Sequence, residues 1–134
     1  MKITYIDSGV LLSATDGVGI IAEKALQILG DSQREFASSE FVKLEVSPKA
    51  IYNKQTEEAQ FYEEFFGDVT YWANDLTHIV QEGYQIAAQY GLAAMDALHV
   101  AAALSVGAEE FVTTEKKTKP MFRVSSLKVV SIFD

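Results

Sequence analysis

The chain opens on KITYID, residues 2–7, a short β-branched and mostly apolar run that ends on a carboxylate. A run without apolar–polar alternation fits a strand covered on both faces, as in a parallel sheet. SGVLLSATDG then predicts a short helical segment over 8–17, punctuated by Asp16-Gly17. Over 18–30, VGIIAEKALQILG sets Ile21, Ala25, Ile28 and Leu29 at helical spacing, and Gly30 supplies a stop. REFAS (34–38) reads as a second strand. SSEFVKLEVSPKAI follows as a helix with Ser38 or Ser39 at its N-cap and Pro48 near its end. TEEAQFYEEFFG (56–67) has a Thr cap, acids in the first turn and the aromatics Phe61, Tyr62, Phe65 and Phe66 in i,i+4 pairs. DVTYWA (68–73) is a third strand, and DLTHIVQEGYQIAAQYG (75–91) a helix capped by Asp75 and closed by Gly91. An alanine-rich helix occupies GLAAMDALHVAAAL (91–104). EFVTT (110–114) and KVVSIF (128–133) are the fourth and fifth strands.

Strands alternating with helices predict an α/β fold, a mostly parallel five-stranded sheet with helices on both faces. No internal repeat and no linker rich in Pro, Gly or Ser divides the chain, so residues 1–134 are expected to form a single domain. With 49% apolar residues and no low-complexity tract, the composition is that of a globular protein. The absence of cysteine excludes disulfides and thiolate chemistry, and leaves oxygen or imidazole ligands for any metal. The first residues enter a strand pattern at once, so no secretion signal is expected, and no apolar run approaches the ~20 residues of a membrane helix. The expected location is cytoplasmic.

A net charge of −8 argues against passive binding to nucleic acid, which needs Lys and Arg on the phosphates. It leaves room for an enzyme that meets phosphates through divalent cations. The acids therefore matter. Asp96 lies among alanines, leucines and a valine, where an unpaired buried carboxylate is costly. It must sit either at the wet start of its helix, as a cap or first-turn acid, or beside a partner.

Open α/β sheets bind ligands beyond the carboxyl ends of their strands. Asp7 ends strand one and Thr113-Thr114-Glu115 ends strand four. If those strands are neighbours, Asp7 and Glu115 face one crevice. The helix carrying Asp96 opens on the same side, and Glu45, on the helix after strand two, is within reach of it. Converging carboxylates repel, and a shared proton or a cation must relieve them. In a chain with these ligands the cation is a hard one, Mg²⁺ or Mn²⁺. Such ions orient a phosphodiester and activate water, which gives phosphodiester hydrolysis as the leading chemistry.

Four segments, YIDSGVLLSA, SSEFVKLEV, GLAAMDALHVAAAL and EEFVTTEKK, resemble in order the four acidic blocks of PIN domains. That family includes the VapC toxins of type II toxin–antitoxin pairs. The resemblance spans nearly the whole chain, and its order and spacing carry more than any single block. It implies an α/β/α sandwich, Mg²⁺- or Mn²⁺-dependent cleavage of an RNA substrate, a cognate antitoxin and a homodimer. Asp7, Glu45 and Asp96 match the family's metal-binding acids, with Glu45 a better fit to the spacing than Glu40. Thr113 matches the hydroxyl that follows strand four, and Ser8 is a candidate substrate contact beside it. Glu115 stands where the family usually has Asp, and TTEKKTKPMF departs from the family there.

Bland readings stand beside these. Asp7-Ser8-Gly9 is also a helix cap, and a single Glu such as Glu45 or Glu115 is more often a solvated residue. Lys116, Lys117, Lys119 and Arg123 form either a phosphate-contacting run or a solvated loop. His99, on the same helix face as Asp96, is within reach of a carboxylate or substrate. As a lone histidine on an alanine-rich helix it is left outside the catalytic set. The aromatic helix reads mainly as core, extending to a dimer contact or antitoxin groove near the acidic crevice. A phosphoacceptor receiver fails because VTYWA ends without an acid, and a haloacid-dehalogenase-type phosphatase because position 9 is Gly. The remaining rival is a PIN-like scaffold that binds RNA or protein without cutting.

Overall fold

In the computed structural model, which describes residues 1–133, strand β1 (Lys2–Ile6) is the central strand of a five-stranded sheet. Its Thr4, Tyr5 and Ile6 are fully buried, so both faces of the strand are covered, as its unbroken run requires. β2 (Arg34–Ser39) and β4 (Glu110–Thr113) flank it, and β3 (Tyr71–Ala73) and β5 (Lys128–Ser131) form the edges. The order is β3-β2-β1-β4-β5, and every pairing is parallel. Thr4 lies between Phe36 and Glu110, and Tyr5 between Ala37 and Phe111.

Helices α1 (Ser8–Asp16) and α2 (Ile20–Leu29) join β1 to β2, and α3 (Glu40–Tyr52) and α4 (Thr56–Asp68) join β2 to β3. The chain then reverses direction. α5 (Leu76–Tyr90) and α6 (Ala94–Ser105) carry it back across β1 to β4, and a 3-10 turn at Pro120–Arg123 leads to β5. Right-handed crossovers in opposite directions place helices on opposite faces of the sheet. Phe36 accordingly meets Phe65 of α4 on one face, ring centres 5.7 Å apart, while Tyr5 meets His99 of α6 on the other at 6.0 Å. The expected α/β/α sandwich is observed, its sheet parallel throughout. No described helix is long and apolar enough to cross a membrane.

Several boundaries follow the sequence. Asp75 caps α5 by accepting the His78 N–H (3.3 Å), and Gly91 closes it in the left-handed region at φ 73°. Others differ. α3 continues through Pro48 to Tyr52 rather than ending near the proline. Leu44 and Pro48 are both exposed, so the carbonyl that loses its N–H partner there lies on the watery side of the helix. Ser39 occupies the N-cap position of α3, yet its hydroxyl makes no capping bond, because it is engaged with Tyr5 instead. Thr56 is the first residue of α4, and Gln55 takes the cap position without a side-chain bond. Tyr62 and Phe65 are core residues, with Phe61 and Phe66 half-buried against them.

At the amino ends of the strands, Glu110 is only 2% exposed. It accepts from Thr4 Oγ1 (2.7 Å) and Arg34 Nε (2.6 Å), and Arg34 Nη1 continues to Asp31 Oδ2 (2.8 Å). Burial pushes the Glu110 carboxyl up, but the hydrogen bonds from Arg34 and Thr4 and the Arg34 charge outweigh it and hold it below the usual range. Because its pKa is lowered on folding, the stabilisation is complete above the ordinary value of 4.5 and is lost as pH falls below it. Glu110→Ala, which leaves Arg34 with Asp31 as its remaining carboxylate partner, is expected to cost about 3 kcal/mol at pH 7 by urea denaturation. The deficit should shrink towards pH 3; a variant equally destabilised at both pH values would contradict the charge-based account.

Candidate active site

The order in which strands are added to the sheet reverses between β1 and β4, the point at which an open parallel sheet leaves a crevice beyond its carboxyl ends. Asp7, half-buried, directly follows the last residue of β1. Its N–H donates to the Val112 carbonyl (3.0 Å), continuing the β1–β4 ladder, while its side chain starts α1. Oδ1 accepts from the Ser8 N–H (2.9 Å) and Oδ2 from Thr113 Oγ1 (2.8 Å). Thr113 Oγ1 in turn accepts the Glu115 N–H (3.1 Å), so one hydroxyl ties Asp7 to the corner after β4. Gly9 lets these segments meet, since a Cβ there would collide with the Thr114 side chain.

Glu45 reaches the crevice from α3, its side chain 37% exposed. Its Oε1 accepts from Ser8 Oγ (2.9 Å) and from His99 Nε2 (2.6 Å). The His99 hydrogen bond, reinforced by Ser8, lowers the Glu45 carboxyl against the opposing effect of burial. Glu40, the competing acid, is exposed and accepts no side-chain hydrogen bond from the described residues. Asp96 is a first-turn residue of α6; the cap position is Ala93, which offers no side-chain bond. Burial pushes the Asp96 carboxyl up first, then the charges of Asp7 and Glu115, with Glu45 adding and His99 opposing. The acids from four separate segments thus share one electrostatic neighbourhood.

Ser8 and Thr113 spend their hydroxyl protons on Glu45 and Asp7 rather than standing free in the crevice. Glu115 is half-buried just past β4, and Lys116, Lys117 and Lys119 are exposed beyond it. Arg123 is set apart from that run, its Nη1 donating to the Tyr90 carbonyl (3.1 Å). His99 is the residue that sequence reasoning left out. It is 2% exposed, and its Nδ1 lies 3.0 Å from Tyr5 Oη, which lies 2.7 Å from Ser39 Oγ. Its position three residues after Asp96 was the available signal; its partners on β1 and α3 gave none.

The donor set is all carboxylate around the crevice, suited to a hard divalent cation, and the raised Asp96 is the group such a cation would relieve. Among the described residues no three Asp, Glu or His side chains are grouped tightly enough to hold an ion as they stand. A hollow of about 250 Å³ continues from Glu45, lined by Leu12, Asp16, Lys49, Asn53 and Tyr62. A wider hollow of about 450 Å³ lies at the amino ends of the strands by Arg34 and Asp31, away from the four acids.

Residues 4–121 match the sequence profile of the PIN domain. None of the curated protein sequences matches the chain. Among solved structures, it resembles a toxin–antitoxin complex from Klebsiella pneumoniae at TM-score 0.75 and 21% identity, covering 98% of each chain. VapBC2 from Rickettsia felis, bound to a DNA fragment from its promoter, gives 0.69 at 16% identity, over 96% of this chain and 98% of that one. DNA-bound VapBC from Salmonella typhimurium gives 0.68 at 16%, over 98% and 99%. Likeness at these identities establishes the fold.

A carboxyl pushed up in the folded state weakens folding as pH rises through its ordinary value of 3.8. Asp96→Asn is therefore expected to stabilise the metal-free protein at pH 7 by about 1 kcal/mol. The gain should vanish as pH falls towards 3.8. Thermal unfolding in EDTA at several pH values measures this, and a destabilised Asn variant at pH 7 would refute the repulsion.

Proposed function

Because the chain belongs to the PIN domain family, we propose that it is a Mg²⁺- or Mn²⁺-dependent endoribonuclease of the VapC type, the toxin of a toxin–antitoxin pair. The observation that carries this reading is the convergence of Asp7, Glu45, Asp96 and Glu115 on one crevice, with Asp96 raised by burial and by its acidic neighbours. These four acids would hold the ions. A bound divalent cation supplies Lewis acidity, orients the phosphodiester and makes water a better nucleophile.

The chain's own residues prepare that chemistry. Thr113 and the Ser8 amide each bind one oxygen of Asp7, which fixes the plane of its carboxylate. Ser8 Oγ and His99 bind Oε1 of Glu45 and keep it ionised. Lys116 and Lys117, exposed directly after Glu115, would meet phosphates of the strand being cut. The hollow beyond Glu45, at about 250 Å³, has room for a flanking nucleotide base, with Lys49 and Asn53 as polar contacts.

The solved neighbours are toxin–antitoxin complexes, which supports a protein antitoxin as partner. Exposed apolar side chains are available for protein contacts: Val80 and Tyr84 about the α5–α6 groove, and Leu44, Ile51 and Tyr52 on α3. A homodimer contact would use the first group, which borders an apolar hollow of about 620 Å³ between α5 and α6. A second reading, a PIN scaffold that binds without cutting, is favoured by Glu115 in place of the usual Asp and by the absence of a ready-grouped ligand trio among the described residues.

One experiment separates them. Purified protein with Mn²⁺ is expected to cleave single-stranded RNA, and EDTA should stop it. Asp7→Asn and Asp96→Asn should each lower the rate by roughly 100-fold or more, since even loss of a ligand's hydrogen-bonding partner costs 10–100-fold. Diverse RNAs left intact by wild-type protein would favour the scaffold. Cleavage undiminished in the double variant would show that the activity belongs to a contaminant.

A further inference from the structure

Polar groups form one continuous chain from the core out to the crevice, Ser39–Tyr5–His99–Glu45, drawn from β2, β1, α6 and α3. We propose that Ser39, Tyr5 and His99 are positioning residues that hold the Glu45 carboxylate in the crevice by its Oε1, leaving Oε2 as the oxygen presented to a cation. This rests on the reading of the crevice as a cation site.

The direction of the hydrogen bonds follows from the ionised end. A carboxylate only accepts, so His99 Nε2 donates to Oε1 (2.6 Å). Nδ1 lies 3.0 Å from Tyr5 Oη, accepting the Tyr5 O–H when the ring is neutral and donating to it when the ring is protonated. Burial pushes the Tyr5 phenol upward, so it keeps its proton and stays a donor. Tyr5 Oη is left to accept from Ser39 Oγ (2.7 Å). With the ring neutral, every donor in the chain faces towards Glu45, an alignment in which each bond polarises the next; in either state of the ring Nε2 donates to Oε1.

Rigidity grades along the same line. Ser39 and Tyr5 are fully buried and His99 nearly so, whereas the Glu45 side chain is 37% exposed on a helix surface. Tyr5 is fixed further by stacking on Phe111, centroids 5.3 Å apart and planes within 14°, and Phe41 packs edge-on against His99 at 6.3 Å. A flexible glutamate is therefore moored to the central strand of the sheet. Ser8 Oγ takes the same Oε1, and no described residue donates to Oε2. Ser39 gives up the capping bond it would otherwise make to α3, which a hydroxyl serving only as a helix start would keep.

The test is Mn²⁺ binding without RNA, by calorimetry and by the electron-spin signal of free Mn²⁺. His99→Leu is expected to weaken binding about tenfold, in the range known for partners that orient metal ligands. Tyr5→Phe should give a smaller loss. His99→Gln, whose amide can still donate to Oε1, should recover most of the affinity. In a Glu45→Gln background neither His99→Leu nor Tyr5→Phe should weaken binding further. Unchanged binding in His99→Leu, or an equal loss with and without Glu45, would overturn the proposal. If His99→Leu fails to fold, Tyr5→Phe in the two backgrounds decides by the same comparison. Wild-type protein that binds Mn²⁺ but cuts no RNA removes the nuclease reading and leaves this one standing. Wild-type protein that binds no Mn²⁺ removes both.

Discussion

The parallel pairing of β1 with β4 is the contact on which the rest is built. It joins strands more than a hundred residues apart in sequence, with Thr4 against Glu110, Tyr5 against Phe111 and Ile6 against Val112. The Asp7 N–H to Val112 carbonyl bond extends the ladder past the last strand residue and delivers Asp7 to the Thr113 hydroxyl. Because side chains alternate along a strand, a slip of one residue would turn Tyr5 away from His99 and Thr4 away from Glu110 together. Core, buried ion pair and crevice therefore share one register.

The two ends of this strand pair treat a carboxylate in opposite ways. At the amino end, Glu110 is buried but satisfied: Arg34 and Thr4 supply charge and hydrogen bonds, and its carboxyl is lowered. At the carboxyl end, Asp96 is partly buried with further acids for neighbours, and its carboxyl is raised. Unlike charge closes the first site and makes it structural. Like charge leaves the second without a compensating partner, the pattern that marks a candidate functional site rather than a stabilising one. The imidazole of His99 is turned to Glu45 and Tyr5 rather than held as a free ligand.

What the sequence disclosed and what it withheld divide along a physical line. Features set by near neighbours were legible: the unbroken apolar run of β1, the Asp75 cap and Gly91 stop of α5, and Asp7 at a strand end. Asp96 was legible as an oddity, a charge in an alanine-rich helix, and its first-turn position is what the structure shows. Features set by contacts across the fold were not. Glu110 read as one more strand residue because Arg34 and Thr4 reach it only after the sheet forms. Ser39 read as a helix cap, since nothing local announces a tyrosine on the neighbouring strand. His99 looked structural for the same reason, and it is indeed buried, but between two side chains that give it an electrostatic task.

The departure at Glu115 gains meaning from this arrangement. Asp7, Glu45 and Asp96 are fixed by a strand end, by hydrogen bonds to Ser8 and His99, and by the first turn of a helix. Glu115 lies beyond the last residue of β4 and outside any helix, its backbone held at the N–H by Thr113 and its side chain one methylene longer than Asp. Among the described residues no trio of these side chains is grouped closely enough to hold an ion as it stands. Glu115 differs from the other three in being set neither in a helix nor at a helix cap, with Thr113 holding its backbone N–H alone. Its added methylene therefore gives it a longer reach from that corner than an Asp would have, towards the three acids carried by a strand end and two helices.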